Sequence, residues 1–490
     1  MRLLKIILPG LLTAQLIATI QIYLSNAALY RSLAAIVDAG YLAVPNGHAM
    51  MRLREFGPAF FGGVFFTLTV GAGLSLLAFA VAWLWDRVFS RNRISLGVFI
   101  LLWAGCLVSL HLEGFCPAAS YFLFVPPVVF AASIRWLPER TPGKLIRSEL
   151  FHLLPLLLLA FVWVPLVGGD LFINIRDSFL LSGPPGKCIN DFYYNYTLYP
   201  AEVFKSLDQK MIRTCNSDRI TVGRESQLLT KTLLRYDYLP VRGYAQADLE
   251  ISTADGLFIF KNGGNEVLQV SPGEFLSRPG STLKKFSENI DRNSVFRKYV
   301  FFFLLTGSPV ILYVILNAFF SLLLIPFVQS RRISVTASVL CLLTGGALLV
   351  MLHSGGEMAV NGKNVFEAME SQNWRDRVAA LKFIGQRGME VSTFGSYRRM
   401  LKSSRVPERY WLAKAMSTSR NPETGSELLA LLDDPHRNVV CMAFYALGRR
   451  GNIADAAEII RRIKTSDDWY AQWYAYRALR SMGWEQTESK

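Results

Sequence analysis

Along this chain, long uncharged apolar runs alternate with stretches of ordinary soluble pattern. A helix needs about 20 mostly apolar residues to cross about 30 Å of hydrocarbon. Seven runs meet that length: 4–24, 59–85, 94–112, 118–137, 150–168, 299–328 and 333–353. Five of them hold no Lys, Arg, Asp or Glu. Backbone groups must be satisfied inside each span, so the pattern predicts a helical bundle rather than a barrel. In the second run Gly62, Gly63, Gly71, Ala72 and Gly73 leave room for a neighbouring helix to come close. The first run could also be read as a signal peptide, with a small-residue cut at Ser25-Asn26-Ala27, but it is long for that and reads better as a retained anchor.

Between the fifth and sixth runs the pattern changes. Residues 249–253, 257–261 and 267–271 read as strands. Asp255-Gly256 and Asn262-Gly263-Gly264 join them with hairpin chemistry, since these residues accept positive φ. Gly183-Pro184-Pro185-Gly186 reads as a linker. Pro200-Ala201-Glu202 reads as a helix start, with Val203, Phe204, Leu207, Met211 and Ile212 on its inner face. Residues 272–290 read as a loop and an amphipathic helix. The expectation for 169–298 is a small α+β domain with an antiparallel meander.

After residue 360 the period changes again. The segments 377–385, 411–416, 441–448 and 473–479 are self-similar, and their anchors Ile384, Met416, Leu447 and Leu479 recur every 31 or 32 residues. Gly388, Gly451 and Gly483 each follow an anchor by four residues, where a helix would close. Asp433-Asp434-Pro435 and Ser466-Asp467-Asp468 are turn and cap signals before the next helix. A fixed period of this kind means stacked helical pairs. The segment resembles short bacterial HEAT-like repeats, over about 115 residues. The second copy lacks the Gly pair, and the fourth is unusually aromatic. The resemblance implies a protein-docking platform. Trp469, Trp473 and Tyr474, with Arg449 and Arg450, are its candidate partner-binding residues; alternatively the aromatic last repeat is a cap packed on the rest of the chain.

Basic residues sort the loops. Arg87, Arg91 and Arg93, then Arg140, Lys144 and Arg147, then Arg331 and Arg332 mark three loops as cytoplasmic. This alternation puts 169–298 and 361–490 outside. The expected fold is a polytopic α-helical membrane protein of about seven spans, with an extracytoplasmic α+β domain and a C-terminal HEAT-like α-solenoid. The expected domains are 1–168 (spans one to five), 169–298, 299–353 (spans six and seven) and 361–490. The expected location is a bacterial inner membrane, multi-pass.

The net charge of +15 divides into +5 for 1–183, +2 for 184–297, +2 for 298–360 and +6 for 361–490. No concentrated basic tract points to nucleic acid. Six Cys in 490 residues exclude a disulfide scaffold; Cys188 and Cys215 form one candidate disulfide if their side is oxidising. No phosphate-binding loop, dinucleotide fingerprint, zinc-protease motif or nucleophile elbow occurs. Two weaker constellations remain. His48, His111, Glu113 and His353, with Cys116 and Glu357 nearby, gather at one predicted membrane face and supply metal-type donors; the competing reading is polar residues at helix ends. Asp38, Asp170 and Asp177 occupy outer loops where a glycosyltransferase-like enzyme acting on a lipid-linked substrate would place acids. The leading reading is non-catalytic and requires no cofactor: a scaffold or accessory subunit of an envelope assembly or export system, holding a protein partner at 361–490, contacting membrane lipid and open to other membrane subunits.

Overall fold

The computed structural model describes residues 2–137, 145–168, 171–219, 224–353 and 360–487. It is mostly helical, with one small sheet. Among the described residues, six helices are long and apolar enough to cross a membrane: Leu3–Asp38, Phe56–Arg87, Arg93–His111, Ala119–Trp136, Ser294–Leu324 and Arg332–Val350. The fifth predicted run lies on helix Leu145–Trp163. Beyond it, Leu171–Leu180 runs at 111° to Leu154–Leu166, so these two pieces make at most one broken span.

The first helix is a single rod of 37 residues, about 55 Å at 1.5 Å per residue. That is nearly twice a hydrocarbon thickness, so the expected span at 4–24 continues unbroken to Asp38. Leu33 and Ile36 are buried on its second half, and Asn26 is fully enclosed. A cut at residues 25–27 would sever a continuous helix.

The second helix contains one wide π turn at Thr67–Gly71. There the Thr67 hydroxyl donates to Gln15 Oε1 at 2.7 Å, and Gln15 Nε2 donates to the Phe60 carbonyl at 2.7 Å. Such turns are absorbed where a side chain engages the helix ladder. The expected close approach is present. A Cβ on Gly307 would sit 3.0 Å from the Gly73 Cα, so these helices touch backbone to backbone.

The middle region holds a five-stranded sheet in the order β2-β1-β3-β4-β5. Its strands are β1 (Arg213–Arg219), β2 (Tyr238–Pro240), β3 (Leu249–Ala254), β4 (Leu257–Asn262) and β5 (Asn265–Val270). The predicted meander is its β3-β4-β5 half. β1 pairs in parallel with both β2 and β3, which makes the sheet mixed. Phe258, Phe260, Phe275, Phe286, Leu229 and Leu233 fill its core. Two expectations fail nearby. Pro184 and Pro185 open helix Pro184–Tyr196 instead of a linker, with Pro at the first turn, where it lacks no needed N–H. The helix predicted from Pro200 stops at Val203. Ser206 and Gln209 then form a capping box that starts a separate short turn.

In the C-terminal region, the helices at the four anchors are Trp374–Arg387, Val406–Met416, Arg437–Arg450 and Trp469–Ser481, and consecutive ones pack side by side. Pro422–Leu431 and Ala456–Thr465 back them. Gly388, Gly451 and Gly483 close or follow their helices at φ of 63°, 72° and 85°, as predicted. A polar lattice recurs with the period. Arg377, Arg409 and Gln472 occupy equivalent places seven residues before their anchors. Each donates to the backbone carbonyl six residues back, at Ser371, Ser403 and Ser466 respectively. Arg377 also reaches Glu408, and Arg409 reaches Asp434 at 2.6 Å. Charged side chains this enclosed need such partners.

Candidate docking groove and cleft

The repeat helices line a groove, and the protein's own chain fills it. Helix Pro184–Tyr196 lies along it with Asn190 fully buried. Asn190 Nδ2 donates to Asn438 Oδ1 at 2.9 Å, and Asn438 Nδ2 donates to the Tyr194 hydroxyl at 3.0 Å. Arg437 donates to Asn195 Oδ1 at 2.8 Å. The Tyr470 and Thr197 hydroxyls share a hydrogen bond of 2.8 Å. Tyr470 also lies against Tyr194, centroids 4.6 Å apart. Burial pushes the Tyr194 and Tyr470 phenols well up, so both stay neutral donors at ordinary pH.

Asp177 anchors one end of the groove. It is 6% exposed. Its Oδ1 accepts from Arg176 Nε at 2.8 Å. Its Oδ2 accepts from Trp411 Nε1 at 2.8 Å and lies 3.7 Å from Lys382 Nζ. The Arg176 guanidinium covers the Tyr410 ring at 3.9 Å and donates to its hydroxyl. Burial, together with neighbouring Arg176, lowers the pKa of Lys414 beside the same indole.

At the other end the last repeat holds the N-terminal segment and the sheet. Gln472 exchanges two hydrogen bonds with the Asn46 backbone, and Gln486 does the same with Leu42. Tyr476 donates to Asp237 Oδ1 at 2.6 Å, and Arg480 lies 3.1 Å from the same oxygen. Burial nonetheless holds the Asp237 carboxyl above its ordinary value.

A cleft lies open in this interface, with a volume of about 220 Å³. Arg52, Tyr199, Arg437, Asp467, Asp468 and Trp469 are among the residues around it. Tyr199 and Trp469 meet edge to face at 5.1 Å. Asp468 caps the last helix by accepting from the Ala471 N–H, and lies 3.5 Å from Arg437.

Residues 397–480 match the family model for HEAT repeats. No curated protein and no solved structure matches the chain. HEAT repeats generally mediate protein–protein interaction through helical scaffolds, and here their groove is engaged within one chain.

This geometry relocates the residues singled out in the sequence. Trp469 is buried on Tyr199, and Tyr474 is half-buried, its phenol pushed up to about 12 mainly by burial. Trp473 meets Tyr474 edge to face and carries Arg477 at 4.6 Å. The aromatic repeat is therefore a cap on the rest of the protein. Arg450 ties two repeats together through the carbonyls of Ser419 and Asn421 and the Thr424 hydroxyl. Arg449 alone of the five is exposed, with no partner among the described residues. Of the three candidate acids, Asp177 is enclosed and engaged, Asp38 is exposed at the end of the first helix, and Asp170 lies outside the described residues. Among the described residues no group of three or more His, Cys, Asp or Glu side chains is placed to hold a metal. His48 faces Asp467 at 3.9 Å. His111 Nδ1 accepts from the Cys116 N–H at 3.3 Å, and Glu113 accepts from Ser294. The His353 side chain and Glu357 lie outside the described residues. Cys188 and Cys215 are both free thiols; Cys215 is sealed in the sheet core while Cys188 is exposed on a helix of the groove. Sequence reasoning missed Asn190, Asn438 and Arg52. Only Gln472, standing where two other repeats carry Arg, signalled a changed task.

Proposed function

We propose that this protein is a membrane-anchored scaffold or accessory subunit of a bacterial envelope assembly or export system. Its apolar helices span the inner membrane, and the sheet and the HEAT repeats lie on the outer side. The observation that carries the reading is the self-filled groove: a protein-docking array is fixed, through Asp177, Asn190 and Gln472, to the ends of helices long enough to cross a bilayer. A fixed array presents its outward surface in a defined orientation to the membrane plane. That surface carries exposed Tyr445, Arg449 and Ile453. Residues i and i+4 of one helix share a face, so Tyr445 and Arg449 present a ring and a charge together, a pairing enriched at interface hot spots.

The test is cross-linking and co-purification from the native host with Tyr445→Ala/Arg449→Glu in the full chain. Loss of a partner seen with the parent protein, at unchanged abundance, is expected. An unchanged partner set would remove this face from the proposal. A reporter active only outside the cytoplasm, fused after Lys490, checks the sidedness separately.

A further inference from the structure

The open cleft has a charge pattern that its own residues leave unanswered. Arg437 and Asp468 neutralise each other across 3.5 Å, and Arg437 is further used by Asn195. That leaves Arg52, Asp467 and the Tyr199 hydroxyl. Among the described residues, neither the Arg52 guanidinium nor the Tyr199 hydroxyl has a hydrogen bond or an ion pair, although Tyr199 is 3% exposed and Arg52 is half-buried. Neither group is sealed from solvent, so both can hydrogen-bond a ligand that enters the cleft. Asp467, its side chain 76% exposed, faces only the His48 imidazole, at 3.9 Å. The cleft therefore offers one cation, one anion, one hydroxyl donor and an indole wall.

Size and position narrow the ligand. A volume of about 220 Å³ has room for several waters and hence for a small polar group. Arg52 stands four residues before Phe56, where the second apolar helix begins. Phe56, Phe60 and Phe61 on that helix are exposed, and Phe61 meets Phe192 of the groove helix edge-on and Tyr196 at a tilt. In the membrane reading proposed above, on which this inference rests, the cleft lies beside the end of a spanning helix and so opens at head-group depth.

We infer that the cleft binds a phosphoethanolamine-type zwitterion, its phosphate on Arg52 and the Tyr199 hydroxyl and its ammonium on Asp467 beside the Trp469 ring. Guanidinium–phosphate hydrogen bonds are charge-assisted and short. An ammonium gains from both a carboxylate and an aromatic face. Tyr199 remains a donor, since burial pushes its phenol up to about 12. The head group would be read where the HEAT repeats, the N-terminal segment and the groove helix meet, so its occupancy reports that all three are assembled.

The chemistry has two sources, a phospholipid or a free head group. Full-length protein in detergent is titrated by native mass spectrometry with phosphatidylethanolamine, phosphatidylglycerol and glycerophosphoethanolamine. Phosphatidylethanolamine is expected to bind at least tenfold tighter than phosphatidylglycerol. Arg52→Gln is expected to weaken it tenfold or more, with Arg52→Lys partly restoring it. Asp467→Asn is expected to erase the preference between the two lipids. These positions make few native contacts, so the variants should fold; the thermal midpoint of each is measured to show it. Equal binding of both lipids by the parent protein, or no response to Arg52→Gln, overturns the site. Glycerophosphoethanolamine binding as tightly as the lipid, and sensitive to Arg52→Gln, upholds the site while removing the membrane placement beneath it.

Discussion

His436 stands at the entry to helix Arg437–Arg450, 8% exposed, with no partner for its Nδ1 among the described residues. Burial is the main force lowering its pKa from the ordinary 6.5; Asp434 and Asp191 pull the other way, and Arg409 and Lys187 add to the lowering. The unfolded chain therefore binds a proton near pH 6.5 that the native protein does not. Stability from this residue is complete above pH 6.5 and is lost as pH falls toward the lowered native value. His436→Gln should flatten that part of the pH dependence. Thermal midpoints of the two proteins at pH 7.5 and pH 5.5 decide it, and equal losses on acidification would refute the assignment. His436 shows how little of this interface was legible at single positions. Trp469, Tyr474 and Asp177 stood out in the sequence by type, but type cannot say what a side chain meets. A tryptophan that anchors a foreign partner and one that seals an intramolecular groove look alike until the groove helix at 184–196 is in place.

The repeats were legible as elements because a period of 31 or 32 residues writes the same packing problem four times. β3, β4 and β5 were legible because Asp255, Gly256, Gly263 and Gly264 take positive φ at the turns. β1 was not: Arg-Thr-Cys-Asn-Ser-Asp-Arg has no strand alternation, and only its parallel partners on both sides hold it extended. The period also lets one substitution be read against another. Gly385 and Gly448 each follow their anchor by one residue. A Cβ on Gly385 would meet the next helix at 3.6 Å, an ordinary contact, whereas one on Gly448 would lie 2.7 Å from the Ala478 Cα. Gly385→Ala should stabilise the protein by about 0.5–1 kcal/mol, the usual gain for Gly to Ala inside a helix. Gly448→Ala adds the same methyl but forces two helices apart, and overpacking of this sort costs about 1–3 kcal/mol. Chemical denaturation of both variants tests the pair. Shifts of the same sign and size would mean that the helices Arg437–Arg450 and Trp469–Ser481 are not in this contact.

At the scale of the whole molecule, the HEAT repeats are structural as much as recognitive. Their groove covers Asn190, Tyr194 and Asp177, which on a bare protein would lose the hydrogen-bond partners the repeats supply. Asp177 is the sharpest case. Without Trp411 and Lys382 its carboxylate keeps Arg176 and must turn to water for the rest. The repeats were expected as a domain over 361–490; the groove contacts fasten its helices to the rest of the chain. A chain ending at residue 360 should therefore behave worse than a simple loss of one domain implies. Its helix at 184–196 should exchange amide hydrogens far faster than in the full protein, and its thermal midpoint should fall by several degrees. Co-expression of 361–490 as a separate chain should restore both, since every groove contact is non-covalent. An intact, slowly exchanging 184–196 helix in the truncated chain would show that the repeats merely rest on the rest of the protein. Protection that returns on co-expression, and fails to return when the added fragment carries Asn438→Ala and Trp411→Ala, would establish the groove as what holds the two parts in one orientation.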